Sequence, residues 1–165
     1  MVSNPAIDRL RMVQAMRAVF SAKGIDVNLA SDQALNRPDL DDLDVDPPTI
    51  DGPITAEQAQ LFSNHDPNTP DQIFVYFVRA CSPPQCGCAS RRPAPPQFPN
   101  ARPSVVIASV ASLWTLAHEC GHILGLSHVV DDKRLMFDTT WDITKPLPDL
   151  AADEETKIKA SPFTK

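Results

Sequence analysis

His118-Glu-Cys-Gly-His-Ile-Leu-Gly-Leu-Ser-His128 decides how this chain is read, and eight residues beyond it Met136 stands in Arg134-Leu-Met-Phe-Asp138. On a helix, His118 and His122 lie about 40° apart on one face, so both imidazoles can reach a single ion. Glu119 sits roughly 100° round from His118, where a carboxylate can reach a water on that ion without displacing it. Gly125 can stop the helix, because glycine enters the left-handed region at no steric cost. The chain then turns and returns His128 as a third nitrogen ligand. Three neutral imidazoles leave the fourth tetrahedral position open, as at a catalytic zinc; a structural site closes it with another protein ligand. His-Glu-x-x-His arises by chance about 2% of the time in a chain this long. The glycine and third histidine lower that by a factor of order 10², so three unrelated histidines are a poor explanation.

The flanking residues fit an active-site helix. Leu113, Leu116, Cys120, Ile123 and Leu124 fall opposite the histidines, so one face can be buried while the other looks into a cleft. Ser109 or Ser112 is placed to cap the start. Residues 104 to 109 before it, Ser-Val-Val-Ile-Ala-Ser, read as a short buried strand.

The motif and the Leu135-Met136-Phe137 turn resemble those of the metzincin clan of zinc endopeptidases, and most of all its matrixin-like branch. The resemblance is firm over residues 113 to 138; residues 150 to 163 resemble, less specifically, the helix that closes such domains. It implies that His118, His122 and His128 ligate one Zn2+, that Glu119 is the general base, and that Met136 packs beneath the metal, with Gly125 supporting the site. The implied fold is α/β (α+β): a small twisted mixed sheet with an N-terminal, an active-site and a C-terminal helix. Residues 1–165 would form one catalytic domain, with an upper subdomain to about residue 125 and a lower one from about 126 to 165.

The implied activity is hydrolysis of internal peptide bonds in a protein or peptide substrate lying antiparallel to an edge strand. A hydrophobic residue would enter a primed-side pocket, and a secreted or extracytoplasmic setting is favoured. Asp138 stands where astacins and serralysins carry a tyrosine and matrixins usually a proline. The one tyrosine is Tyr76, so a tyrosine-assisted mechanism is not implied. Two alternatives stay open: a small-peptide metallo-hydrolase with a restricted cleft, and a zinc-dependent module that holds peptide without cleaving it. Glu119 speaks against the second, since a binder needs no general base.

A chain of 165 residues suffices for one domain with a real core, and a monomer is expected. Net charge of −6 and a pI near 5.0 do not favour a nucleic-acid partner. No run approaches the roughly 18 apolar residues that span a membrane. The first residues lack the basic and apolar runs of a signal peptide. The chain therefore stays inside the cell, leaves by another route, or is a mature domain.

Cys81, Cys86 and Cys88 lie in a proline-rich stretch, and Cys120 lies on the apolar side of the motif helix. Disulfides, a second metal site and a buried free thiol at Cys120 are all open readings.

Residues 5 to 23 read as an amphipathic helix, capped by Asn4, opened by Pro5 and ended by Gly24. Its stripe is Met12, Val13, Met16, Val19 and Phe20. Ile25, Val27 and Leu29 alternate as in a half-buried strand. Residues 36 to 53 read as a long acidic loop whose aspartates either bind calcium or are simply solvated. Thr55 opens a short helix with a Gln58 capping box. Residues 72 to 79, nearly all apolar, read as a central strand. His65 reads as a loop residue or a minor metal ligand. Residues 82 to 103 carry seven prolines and can supply only short elements, among them the edge strand the resemblance places before the motif helix. Trp141 either walls the primed-side pocket or simply packs. A last helix is expected over residues 153 to 160, with Asp153, Glu154 and Glu155 near its positive end.

Overall fold

Ser104–Ala108 is buried along its whole length, and that sets the layering. A computed structural model describes residues 8–45, 50–64, 72–91 and 104–164. In chain order the elements are α1 (Arg9–Ser21), β1 (Asp42–Asp44), α2 (Ala56–Phe62), β2 (Phe74–Val78), β3 (Ala80–Ser82), β4 (Gly87–Ser90), β5 (Ser104–Ala108), α3 (Thr115–Ile123) and α4 (Ala152–Lys159). Strands β2 and β4 flank β5, the first parallel and the second antiparallel. On one face Val105 and Ile107 of β5 pack with Met12, Met16 and Phe20 of α1 and Leu116, Cys120 and Ile123 of α3. On the other, Val106 and Ala108 pack with Ala59, Leu61 and Phe62 of α2 and with Leu43 of β1. Burial on both faces explains why β5 reads as an unbroken apolar run. The fold is mixed α/β, as the sequence implied.

Strand β2 is not central. Among the described residues it pairs only with β5, although both of its faces are covered: Val75 and Phe77 pack toward α1 and α3, Tyr76 and Val78 toward α2. An apolar run reports covered faces, not a second hydrogen-bonded neighbour. The edge strand expected from residues 82 to 103 is β4, which pairs antiparallel with β5.

Helix α1 is capped by Asp8, whose carboxylate accepts the Leu10 N–H at 2.8 Å. Asn4 and Pro5 lie outside the described residues. The stripe is as read, and Gly24 takes φ +68 just past the helix end. Ile25, Val27 and Leu29 do not form a strand. The Ile25 N–H bonds back to the Phe20 carbonyl and the Val27 carbonyl accepts from Arg17 Nε at 2.9 Å, so this backbone is satisfied by α1.

The acidic stretch is more than a loop. It contains a 3-10 turn at Pro38–Leu40 and strand β1, which runs parallel to β3. Leu40, Leu43 and Val45 are buried, while Asp39 pairs with Arg37, and Asp41 and Asp42 pair with Arg79. Among the described residues these carboxylates do not gather into a calcium site. The capping box of α2 is present, with Thr55 Oγ1 and the Gln58 amide each serving the other's backbone N–H at 3.0 Å. His65 lies outside the described residues.

Candidate metal centre

Helix α3 has all nine residues buried, and its two ends fix where the histidines go. Neither expected serine is its cap: Trp114 holds that place without a side-chain bond, and the Ser109 hydroxyl is donated to the Arg79 carbonyl. Ser112 works one step earlier, accepting the Trp114 N–H at 3.3 Å while Thr115 Oγ1 accepts the Ser112 N–H at 2.9 Å. At the other end Gly125 takes φ +100, the Leu126 N–H reaches the Gly121 carbonyl and the Gly125 N–H reaches that of His122. This reversed turn is the one glycine permits, and it sends the chain back across the end of the helix.

The turn brings three rings together. The Nε2 atoms of His118, His122 and His128 lie 3.0–3.1 Å from one another. Each ring has an acceptor at its other nitrogen: the Leu135 carbonyl for His118 at 2.9 Å, the Leu126 carbonyl for His122 at 3.0 Å, and the Asp138 carboxylate for His128 at 3.0 Å. Nδ1 therefore carries the proton in each ring, and three bare Nε2 lone pairs face a common point. Without a cation, that arrangement is repulsive. Tetrahedral bonds of about 2.0–2.1 Å set ligand nitrogens roughly 3.3 Å apart, close to the spacing seen, so the residues fit a metal ion. Among the described residues no other group of histidine, cysteine or acid side chains gathers this tightly. Burial lowers the His118 and His122 pKa values to about 4 from an ordinary 6.5, so both are neutral ligands at pH 7.

Glu119 follows His118 on the same helix and is almost wholly buried, and burial pushes its carboxyl up to about 8. Strand β4 crosses α3 at this point. A Cβ at Gly87 would come within 2.8 Å of the Val106 carbonyl oxygen, 3.0 Å of the Thr115 methyl and 3.2 Å of Glu119 Cγ. Only a glycine lets the strand lie so close over the acid.

The turn carrying Met136 is pressed against α3 from the other side. Met136 is fully buried, and a Cβ at Gly121 would stand 2.6 Å from its sulfur. The Val129 N–H bonds the Met136 carbonyl, pairing the segment after His128 with the one before Asp138. Beyond it, Thr140 Oγ1 meets Thr115 Oγ1 at 2.9 Å, tying the segment to the start of α3. Trp141 is 57% exposed and donates Nε1–H to the Val110 carbonyl, so it is not a core residue.

The three expected ligands come together, with Glu119 on the same helix, Gly125 at the turn that ends it and Met136 pressed on it at Gly121. The sequence reading missed Gly87, Gly121 and the partnership of Asp138 with His128. Gly121 alone left a local signal, a glycine inside a helix that would otherwise favour alanine.

The four cysteines are free thiols, and neither disulfides nor a cysteine metal site forms among them. Cys81, Cys88 and Cys120 are buried, which raises the Cys81 and Cys120 thiols to about 11 and about 12. They are unreactive core residues, whereas half-buried Cys86 leans on the Val110 carbonyl.

The sequence matches no protein-family model and no curated protein. Among solved structures, metalloproteinase-II from Bacteroides fragilis superposes with a TM-score of 0.54 over 90% of this chain, at 16% identity. The two share a fold. This chain spans 46% of the length of that one, and at such identity the likeness speaks for architecture alone. The three-histidine cluster comes from this chain's own geometry and marks a candidate metal centre.

Proposed function

We propose that this chain is a zinc-dependent endopeptidase of the metzincin type, matrixin-like in its methionine turn, acting on internal bonds of a protein or peptide. The observation that carries the reading is the meeting of three bare imidazole nitrogens, two of them on the helix that also carries the buried Glu119. Nitrogen ligands of this number and spacing suit zinc, which would supply Lewis acidity toward water and toward the scissile carbonyl.

The rest falls to the chain. Glu119 takes the proton of the attacking water and hands it to the departing amine. Burial alone holds that carboxyl near 8, and a nearby dication would draw the value down and leave the carboxylate that a base needs. Met136 is a buried thioether and serves as the floor.

Strand β4 gives the substrate its direction. It starts over Thr115 and Glu119, and just past its end Arg91 Nη1 lies 4.0 Å from the Cβ position of Gly125. A peptide antiparallel to β4 therefore has its residues before the scissile bond near Arg91 and those after it toward Thr115 and exposed Trp141.

The test is Glu119→Gln. It should keep one zinc per chain while hydrolysis of a denatured protein falls by about 10²-fold or more, and a chelator should stop the wild-type enzyme. Unchanged turnover in the variant would remove Glu119 from the mechanism. Cleavage of short peptides alone would point instead to the small-peptide hydrolase.

A further inference from the structure

We infer that Asp138 is a positioning residue for the metal: its carboxylate orients His128 as the third ligand and sets how tightly the ion is held. This rests on the metal reading of the three-histidine cluster, but not on any turnover.

The three rings are not held alike. His118 and His122 are 2% and 3% exposed, lie on one buried helix, and donate Nδ1–H to backbone carbonyls of buried leucines. Packing and these backbone bonds keep them in place. The His128 side chain is 46% exposed and comes from a segment outside any helix or strand. Its Nδ1 meets no backbone carbonyl but Oδ1 of Asp138 at 3.0 Å. The parallel bridge between Val129 and Phe137, with the Val129 N–H bonded to the Met136 carbonyl, holds the segment after His128 against the one that ends at Asp138. The turn that buries Met136 thus also delivers the carboxylate.

Two effects follow. The hydrogen bond fixes the Nδ1–H tautomer and aims the Nε2 lone pair at the common point, which the exposed ring would otherwise leave by rotating. The negative charge behind the ring offsets part of the charge of the bound dication. Partners of this kind behind a histidine ligand typically alter metal affinity by about 10- to 100-fold. Because the Asp138 side chain is 74% exposed, its charge contribution is open to salt.

The experiment measures zinc dissociation constants by competition with a chromogenic chelator, alongside the melting temperature of each metal-free protein. Asp138→Ala should bind zinc about 10- to 100-fold more weakly. Asp138→Asn retains an acceptor oxygen but no charge and should fall between the two; raising the salt should narrow its gap from wild type. Metal-free melting should be unchanged, since this exposed pair contributes little to the fold. Substituted cobalt should show an altered visible spectrum in Asp138→Ala. Wild-type affinity in Asp138→Ala, or in Asp138→Asn should the alanine variant not fold, would overturn the inference. If wild type itself binds no zinc, the metal reading falls with it. If wild type binds one zinc and both variants match it, the metal reading stands and this inference alone is lost.

Discussion

Gly121 sits in mid-helix between the two histidines, where alanine would ordinarily be the better helix former by about 1 kcal/mol. Here an added methyl would lie 2.6 Å from the Met136 sulfur, and both positions are buried. Gly121→Ala should therefore destabilise the protein, by about 1–3 kcal/mol in a urea titration, reversing the sign expected from helix propensity. A variant as stable as wild type would mean the methionine turn is not seated on α3. Spacing alone made His118, Glu119, His122, Gly125 and His128 legible, because four-residue steps and a helix-ending glycine are local matters. Asp138 and Gly87 were not legible. Each acts through a neighbour far off in sequence, and no period in the chain announces such a contact.

At the scale of elements, α4 is the brace behind the methionine turn. Glu154 is 4% exposed, accepts the Ala151 N–H at 2.9 Å and pairs with Arg134 at 2.7 Å, just before the turn. Removing Glu154 leaves the half-buried Arg134 guanidinium without its partner. Glu154→Ala should lose about 3 kcal/mol, whereas Asp153→Ala, an exposed pair in the same helix turn, should lose well under 1 kcal/mol. Equal losses would show that α4 does not brace the turn. The sequence placed α4 within a residue of its observed limits and found α1, α2, β5 and α3, because each carries its own period or cap. It misjudged residues 25 to 29, whose alternation is real but whose backbone finds partners in α1. It also missed β1, since Leu43 stands alone between aspartates and only its pairing with β3 makes a strand. Sheet partners are long-range facts.

For the whole molecule, the buried titratable groups set how the metal-free protein responds to pH. His118 and His122 fall to about 4 on folding from an ordinary 6.5, so between those values the unfolded chain binds more protons and stability rises with pH. Glu119 rises from an ordinary 4.5 to about 8, so over that span the folded chain binds more protons and stability falls with pH. Two histidines outweigh one glutamate below pH 6.5, and the glutamate acts alone above it. Metal-free protein should be most stable near the pH where these trends cross, about 6.5. Glu119→Gln should flatten the alkaline limb and steepen the acid one, where the two histidines then act unopposed. Denaturation curves at several pH values check this; an alkaline limb unchanged in the variant would assign the trend to some other group.

The central claim is that three imidazole nitrogens share one metal ion. Anomalous diffraction at the zinc edge, from crystals grown with zinc, tests it most directly. The account predicts a single strong peak about 2.0–2.1 Å from Nε2 of His118, His122 and His128 alike. A peak elsewhere, or none between the three rings, would contradict it.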